Sequence, residues 1–127
     1  MTGNNYQQLA MRTNDRESTY RLGKAIMCAE HEIDTDFGGV IMACLGLAGE
    51  VGEFNDMIKK SIFHEAPFDE EHAKKELGDI MWYVAMMCTS FGWKLDDIME
   101  LNVDKLKQRY PYGFDVNKAN HRKEGDI

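Results

Sequence analysis

Apolar residues return at spacings of three and four through Ile80, Val84, Met87 and Cys88, and again through Leu95, Ile98, Leu101, Val103 and Leu106. That is the period of a helix with one face turned inward, and few β-branched runs alternate with polar residues as strands would require. The pattern predicts about five helices, over residues 6–13, 19–31, 39–63, 69–91 and 95–109. Their boundaries have local causes. Pro67 cannot continue a helix behind it, and Asp69 then serves as an N-cap or a first-turn acid. Gly92 stands where a glycine just past the last turn would close the fourth helix. Asp96 and Asp97 suit the positive end of the fifth, although Lys94 before them is a poor cap. The fifth helix ends at Pro111, inside the aromatic turn Tyr110-Pro111-Tyr112-Gly113-Phe114. No internal repeat or low-complexity segment is evident. The expectation is therefore an all-α bundle, one domain over residues 1–114, with a polar tail over 115–127 that is loosely held unless it covers a site.

Composition narrows this picture. A chain of 127 residues can bury a core without disulfides or a structural metal. Cys28, Cys44 and Cys88 are odd in number and set among apolar neighbours, so they read as reduced core residues of a cytoplasmic protein. The longest weakly polar run, residues 38–49, is shorter than the roughly 20 residues that span a bilayer. Asn4, Asn5, Gln7 and Gln8 interrupt any secretory pattern at the start of the chain. The formal charge of −7 disfavours a nucleic acid polymer as partner. No membrane or nucleic acid partner is expected.

Two acidic pairs stand apart from the general scatter of charge, Glu50-Val51-Gly52-Glu53 and Glu76-Leu77-Gly78-Asp79. Within each, the carboxylates are three residues apart and share a helix face. Each pair adjoins apolar sequence, where like charges repel and lose hydration. A divalent cation removes both penalties, and a hard cation such as Mg²⁺ takes oxygen ligands while leaving positions for water and phosphate. The break at Pro67 lets the third and fourth helices fold back on each other. That would gather the four carboxylates into one cation site suited to phosphate chemistry.

These residues resemble the MazG-type all-α nucleotide pyrophosphohydrolases. The family pattern is Glu-x-x-Glu, a variable gap, then Glu-x-x-Asp, and Glu50, Glu53, Glu76 and Asp79 match it in order. The surrounding words match too: Gly46-Leu47-Ala48-Gly49 before the first pair, Lys59-Lys60 after it, and Ile80-Met81-Trp82-Tyr83 after the second. Asn102, Lys105 and Arg109-Tyr110-Pro111 resemble the family's Asn-x-x-Lys-x-x-x-Arg-Tyr-Pro run, and Tyr6-Gln7 and Met11-Arg12-Thr13 its beginning. The similarity covers about residues 6–114. Some relatives carry two adjacent acids where Gly49-Glu50 stands here, which leaves the number of metals open.

The resemblance implies Mg²⁺-dependent cleavage of a nucleoside triphosphate to the monophosphate and pyrophosphate, with Mn²⁺ as a substitute ion. It also implies a homodimer or homotetramer, as do the apolar stripes of a thin helical chain. Glu50, Glu53, Glu76 and Asp79 would be catalytic and hold the metal, and either Glu50 or Glu53 would take the proton of the attacking water. The alternative is a regulatory protein that binds or hydrolyses a nucleotide or an alarmone, with little activity on ordinary triphosphates.

Other residues remain open to two readings. Asn102, Lys105 and Arg109 form a stripe on the fifth helix that either grips phosphate and sugar oxygens or is simply a solvated face. Lys59 and Lys60 stand at a phosphate site or at an ordinary helix end. Trp82 is the candidate for nucleobase contact, although Trp82, Tyr83, Phe91 and Trp93 at helical spacing suit a core. Gly46, Gly49 and Gly52 inside a helix call for close packing or for room beside the carboxylates, packing being the expectation. His31, His64, His72 and His121 lack metal-ligand spacing and read as surface or loop residues. Asp34 and Asp36 alternate without an EF-hand loop behind them.

Overall fold

The chain is all-helical in a computed structural model that describes residues 2–31, 33 and 35–120, with the side chain of residue 118 excepted. Helix α1 (Gly3–Ala10) runs into a single 3-10 turn (Met11–Thr13), followed by α2 (Ser18–His31), α3 (Phe37–Phe63), α4 (Glu70–Ser90), α5 (Leu95–Arg109) and a short α6 (Val116–Asn120). The first five correspond to the expected helices, and α6 adds a helical turn within the segment read as tail. His121 and the residues after it, like Asp34, lie outside the described residues. The chain packs as two compact units, Met1–Phe91 and Gly92–Ile127.

Capping explains most of the boundaries. Asp36 accepts a hydrogen bond from the Gly39 amide at 2.9 Å, and Asp69 accepts one from the His72 amide at 3.0 Å. Each satisfies an amide that the first helical turn leaves without a partner. Thr2 does the same for Asn5 at 3.2 Å, which is why α1 begins before the apolar pattern does. Gly92, at φ +70°, supplies the left-handed residue after α4. In the second unit, α5 starts at Lys94 without a side-chain cap, and Gly113 at φ +96° turns the chain so that the Tyr110 and Phe114 rings meet at 5.6 Å.

In the first unit, α3 and α4 form an antiparallel hairpin. The Asp36 amide donates to the Ser90 carbonyl at one end, Gly46 lies against the Tyr83 ring in the middle, and Glu50 meets Glu76 and Asp79 towards the turn. Small residues make the seam: Val40, Ala43, Ala73, Cys88 and Ser90 are buried. A Cβ on Gly46 would enter the Tyr83 ring, and one on Gly39 would strike the Ser90 hydroxyl and the Asp36 carboxylate. The glycines therefore let the two backbones come close.

Close packing does not extend to Gly49 and Gly52, where an added Cβ would meet nothing within 4 Å. Three-residue steps on a helix of 3.6 residues per turn drift by about 60° each, so these glycines rotate off the seam that Gly46 occupies. The cysteine expectation also needs correction. Cys88 is buried and Cys28 half-buried, but Cys44 is exposed. It sits next to the fully buried Ala43, and one residue along the helix, about 100° of rotation, takes it off the buried face. As a whole, α3 is longer and more apolar than the 38–49 run suggested. By length and composition alone it could cross a membrane, with mean hydropathy 1.4 over an 18-residue window. The core helix of a soluble protein meets the same criterion, and the second half of α3 carries Glu50, Glu53, Asp56, Lys59 and Lys60.

Candidate active site

The hairpin brings Glu50 of α3 together with Glu76 and Asp79 of α4, with one oxygen from each within 4.8 Å of the others. Glu76 is buried, Glu50 half-buried and Asp79 exposed, so the trio runs from the helix seam to the surface. Glu53 is not part of it. The drift that takes Gly49 off the seam also takes Glu53 from the direction of Glu50, and its side chain lines a neighbouring cleft. The structure thus gathers three of the four expected carboxylates.

The electrostatics of this trio are unfavourable as they stand. Burial first, and then the charges of Glu53, Asp79 and Glu76, push the Glu50 carboxyl above its ordinary value of 4.5. His72 Nε2 lies 3.0 Å from Glu76 Oε1, an ion pair when the ring is protonated, while Glu76 Oε2 is buried without a hydrogen-bond partner. A buried carboxylate oxygen with no donor is costly. An all-oxygen donor set, like charges held close and an orphaned buried oxygen together fit a hard divalent cation.

Beside the trio lies a cleft of about 460 Å³ bounded by Gly49, Gly52 and Glu53 of α3 and by Pro67, Asp69 and His72 around the start of α4, with Asp56, Met57, Lys60 and Ala66 completing its wall. The missing side chains at Gly49 and Gly52 open this space, which is the second of the two readings of those glycines. Asp56 pairs with both Lys59 and Lys60, the latter at 2.6 Å, and these partners draw its carboxyl down to about 2. Lys60 lines the cleft together with Asp56. Lys59 sits on the same exposed stretch of helix, tied to the same aspartate.

Trp82 belongs neither to the trio nor to the cleft wall. Trp82 is 67% exposed, one turn beyond Asp79 on α4, and is therefore not a core residue of the chain. Of the aromatics read with it as core, Tyr83 and Phe91 are half-buried and Trp93 is exposed. Asn102, Lys105 and Arg109 belong to α5 in the second unit, where Arg109 places its guanidinium 6.0 Å from the Tyr110 ring centroid.

Two participants were not singled out from the sequence. His72, read as a surface residue, is exposed but brings Nε2 to 3.0 Å from the carboxylate of the buried Glu76, and the signal was its position four residues before Glu76. Asp56 follows Glu50 and Glu53 by a second three-residue step and stands three and four residues before the two lysines it holds.

This geometry sits within a segment of known family. The sequence model of the MazG nucleotide pyrophosphohydrolase domain matches residues 41–114, more than half of the chain, and the protein belongs to that family. The matched segment contains all four acids, Lys59, Lys60, Trp82 and the α5 stripe. Among curated proteins the chain is similar to the Gene 37 protein of Mycobacterium phage L5, with 28% identity over 88 residues, which make up 66% of this chain and 77% of that protein. No solved structure matches.

Proposed function

We propose that the protein is a cytoplasmic, Mg²⁺-dependent nucleoside triphosphate pyrophosphohydrolase that converts a ribo- or deoxyribonucleoside triphosphate to its monophosphate and pyrophosphate. The observation that carries this reading is the buried, partnerless Oε2 of Glu76 within the Glu50, Glu76 and Asp79 trio, in a chain of the MazG family.

Glu50, Glu76 and Asp79 would hold the cation. Bound there, Mg²⁺ would supply the positive charge that lets an acidic site accept a polyphosphate and would make a nearby water more acidic. Water forms its bond to the α-phosphorus as the bond to the bridging oxygen breaks, and pyrophosphate leaves. Glu53 takes the proton of that water, a role supported by its place in the cleft wall outside the trio. Lys60 lends positive charge to phosphate oxygens on the same wall, and Lys59 adds to the local field. Trp82 offers an exposed ring for the base. Asn102, Lys105 and Arg109 contact phosphate and sugar oxygens, an assignment that rests on the family resemblance alone. The active form is a homodimer or homotetramer, supported by the apolar side chains left exposed on α3 and α4.

The test is release of monophosphate and pyrophosphate from a panel of ribo- and deoxyribonucleoside triphosphates, with Mg²⁺ and with chelator. Equimolar, metal-dependent products are expected, and Glu76→Gln should lower kcat roughly 100-fold or more. Folded protein that stays inactive across the panel with Mg²⁺ or Mn²⁺ would overturn the reading in favour of an alarmone or a binding role.

A further inference from the structure

Glu76 stands out from the other acids because its two oxygens have different fates. The residue is 8% exposed; Oε1 lies 3.0 Å from His72 Nε2, while Oε2 is buried without a hydrogen-bond partner. A glutamate has three rotatable side-chain bonds, and a carboxylate crowded by Glu50 and Asp79 gains by swinging towards water. A donor on one oxygen stops that rotation and leaves the second oxygen in place.

His72 is well placed to be that donor. Its backbone amide is fixed at the start of α4 by Asp69 Oδ1 at 3.0 Å, and the helix sets its ring one turn from Glu76. The imidazole is about half exposed, at 55%, and reaches inward to a carboxylate side chain that is 10% exposed. An Nε2–H is present in the imidazolium and in one neutral tautomer, so the contact does not require the ring to be charged.

We propose that His72 is a positioning residue for the cation site: its Nε2–H holds Glu76 Oε1 so that Oε2 is kept for the metal. The inference rests on the reading of Glu50, Glu76 and Asp79 as metal ligands. Groups that orient a ligand typically change metal affinity by about 10–100-fold when removed. A helix pair with no part in the site would affect only the stability of α4.

The experiment measures Mn²⁺ binding to the full chain by calorimetry and by the electron paramagnetic resonance of free Mn²⁺, without nucleotide, for wild type, His72→Ala, His72→Gln and Glu76→Gln. His72→Ala should weaken Mn²⁺ at least about 10-fold while the circular dichroism stays that of wild type. His72→Gln, whose amide nitrogen can replace Nε2 as donor, should recover most of the affinity, and Glu76→Gln should lose it. His72→Ala that binds Mn²⁺ as wild type does would overturn the inference, as would loss in His72→Ala without recovery in His72→Gln. Because the readout involves no turnover, the two readings can fail separately. Metal binding that follows this pattern in a protein inactive on every triphosphate sinks the activity alone. Turnover with unchanged Mn²⁺ affinity in His72→Ala sinks the role of His72 alone.

Discussion

The half-buried Glu50 carboxyl loses hydration and stands near the charges of Glu53, Asp79 and Glu76, so its pKa lies above 4.5 when the protein is folded. The folded state therefore holds a proton that the unfolded chain has already released, and stability falls as pH rises from 4.5 through the raised value. Glu50→Gln removes that penalty. In chelator, the Tm of the variant should exceed that of wild type by a margin that grows as pH rises past 4.5, as followed by thermal melts between pH 4 and 8. Saturating Mg²⁺ should close the gap by stabilising wild type more than the variant. Asp56 acts in the opposite sense. Lys59 and Lys60 hold its carboxyl at about 2 against an ordinary 3.8, so its contribution is present above 3.8 and is lost as pH falls towards 2. The two effects occupy different pH windows and can be separated in one titration.

At the scale of the helix, the three glycines of α3 should respond differently to the same substitution. Gly46→Ala forces a Cβ into the Tyr83 ring and should destabilise by roughly 1–3 kcal/mol. Gly49→Ala and Gly52→Ala meet open space and remove a poor helix former, so each should stabilise by up to about 1 kcal/mol. Chemical denaturation of the three variants should give these opposite signs. Because Gly49 and Gly52 line the cleft, their alanine variants should also raise KM for the nucleotide while gaining stability. Replacing the cap, Asp69→Ala, should cost about 1 kcal/mol, since the His72 amide loses its acceptor.

At the scale of the molecule, the limiting feature is how little is buried. Among the described residues the buried apolar set is Ala29, Val40, Ala43, Ala73 and Cys88, and no large side chain is fully enclosed. Met42, Leu45 and Met81 are all more than half exposed on α3 and α4. Small residues bring two helices together but remove little apolar area from water. A second copy covering the larger side chains would supply the missing burial. Sedimentation should therefore show a dimer or tetramer whose Tm rises with protein concentration, and Leu45→Glu should shift it to monomer with a lower Tm.

Periodicity and chain breakers were enough to read the helices. Asp69, Pro67 and Gly92 act within a turn or two of their own position, and the structure places the corresponding boundaries within a residue of the expected ones. The ordered acids Glu50, Glu53, Glu76 and Asp79 were equally legible and carried the family assignment. What local sequence could not rank was direction across the hairpin. Glu50 and Glu53 look equivalent in the motif, as do Gly46 and Gly49, yet about 60° of helical drift sends one member of each pair to the α4 seam and the other to the cleft. The burial of Glu76 and the exposure of Cys44 likewise depend on which face of each helix the partner covers. Sequence spacing determines which residues share a face, but only the packing of α3 on α4 decides which face loses its water.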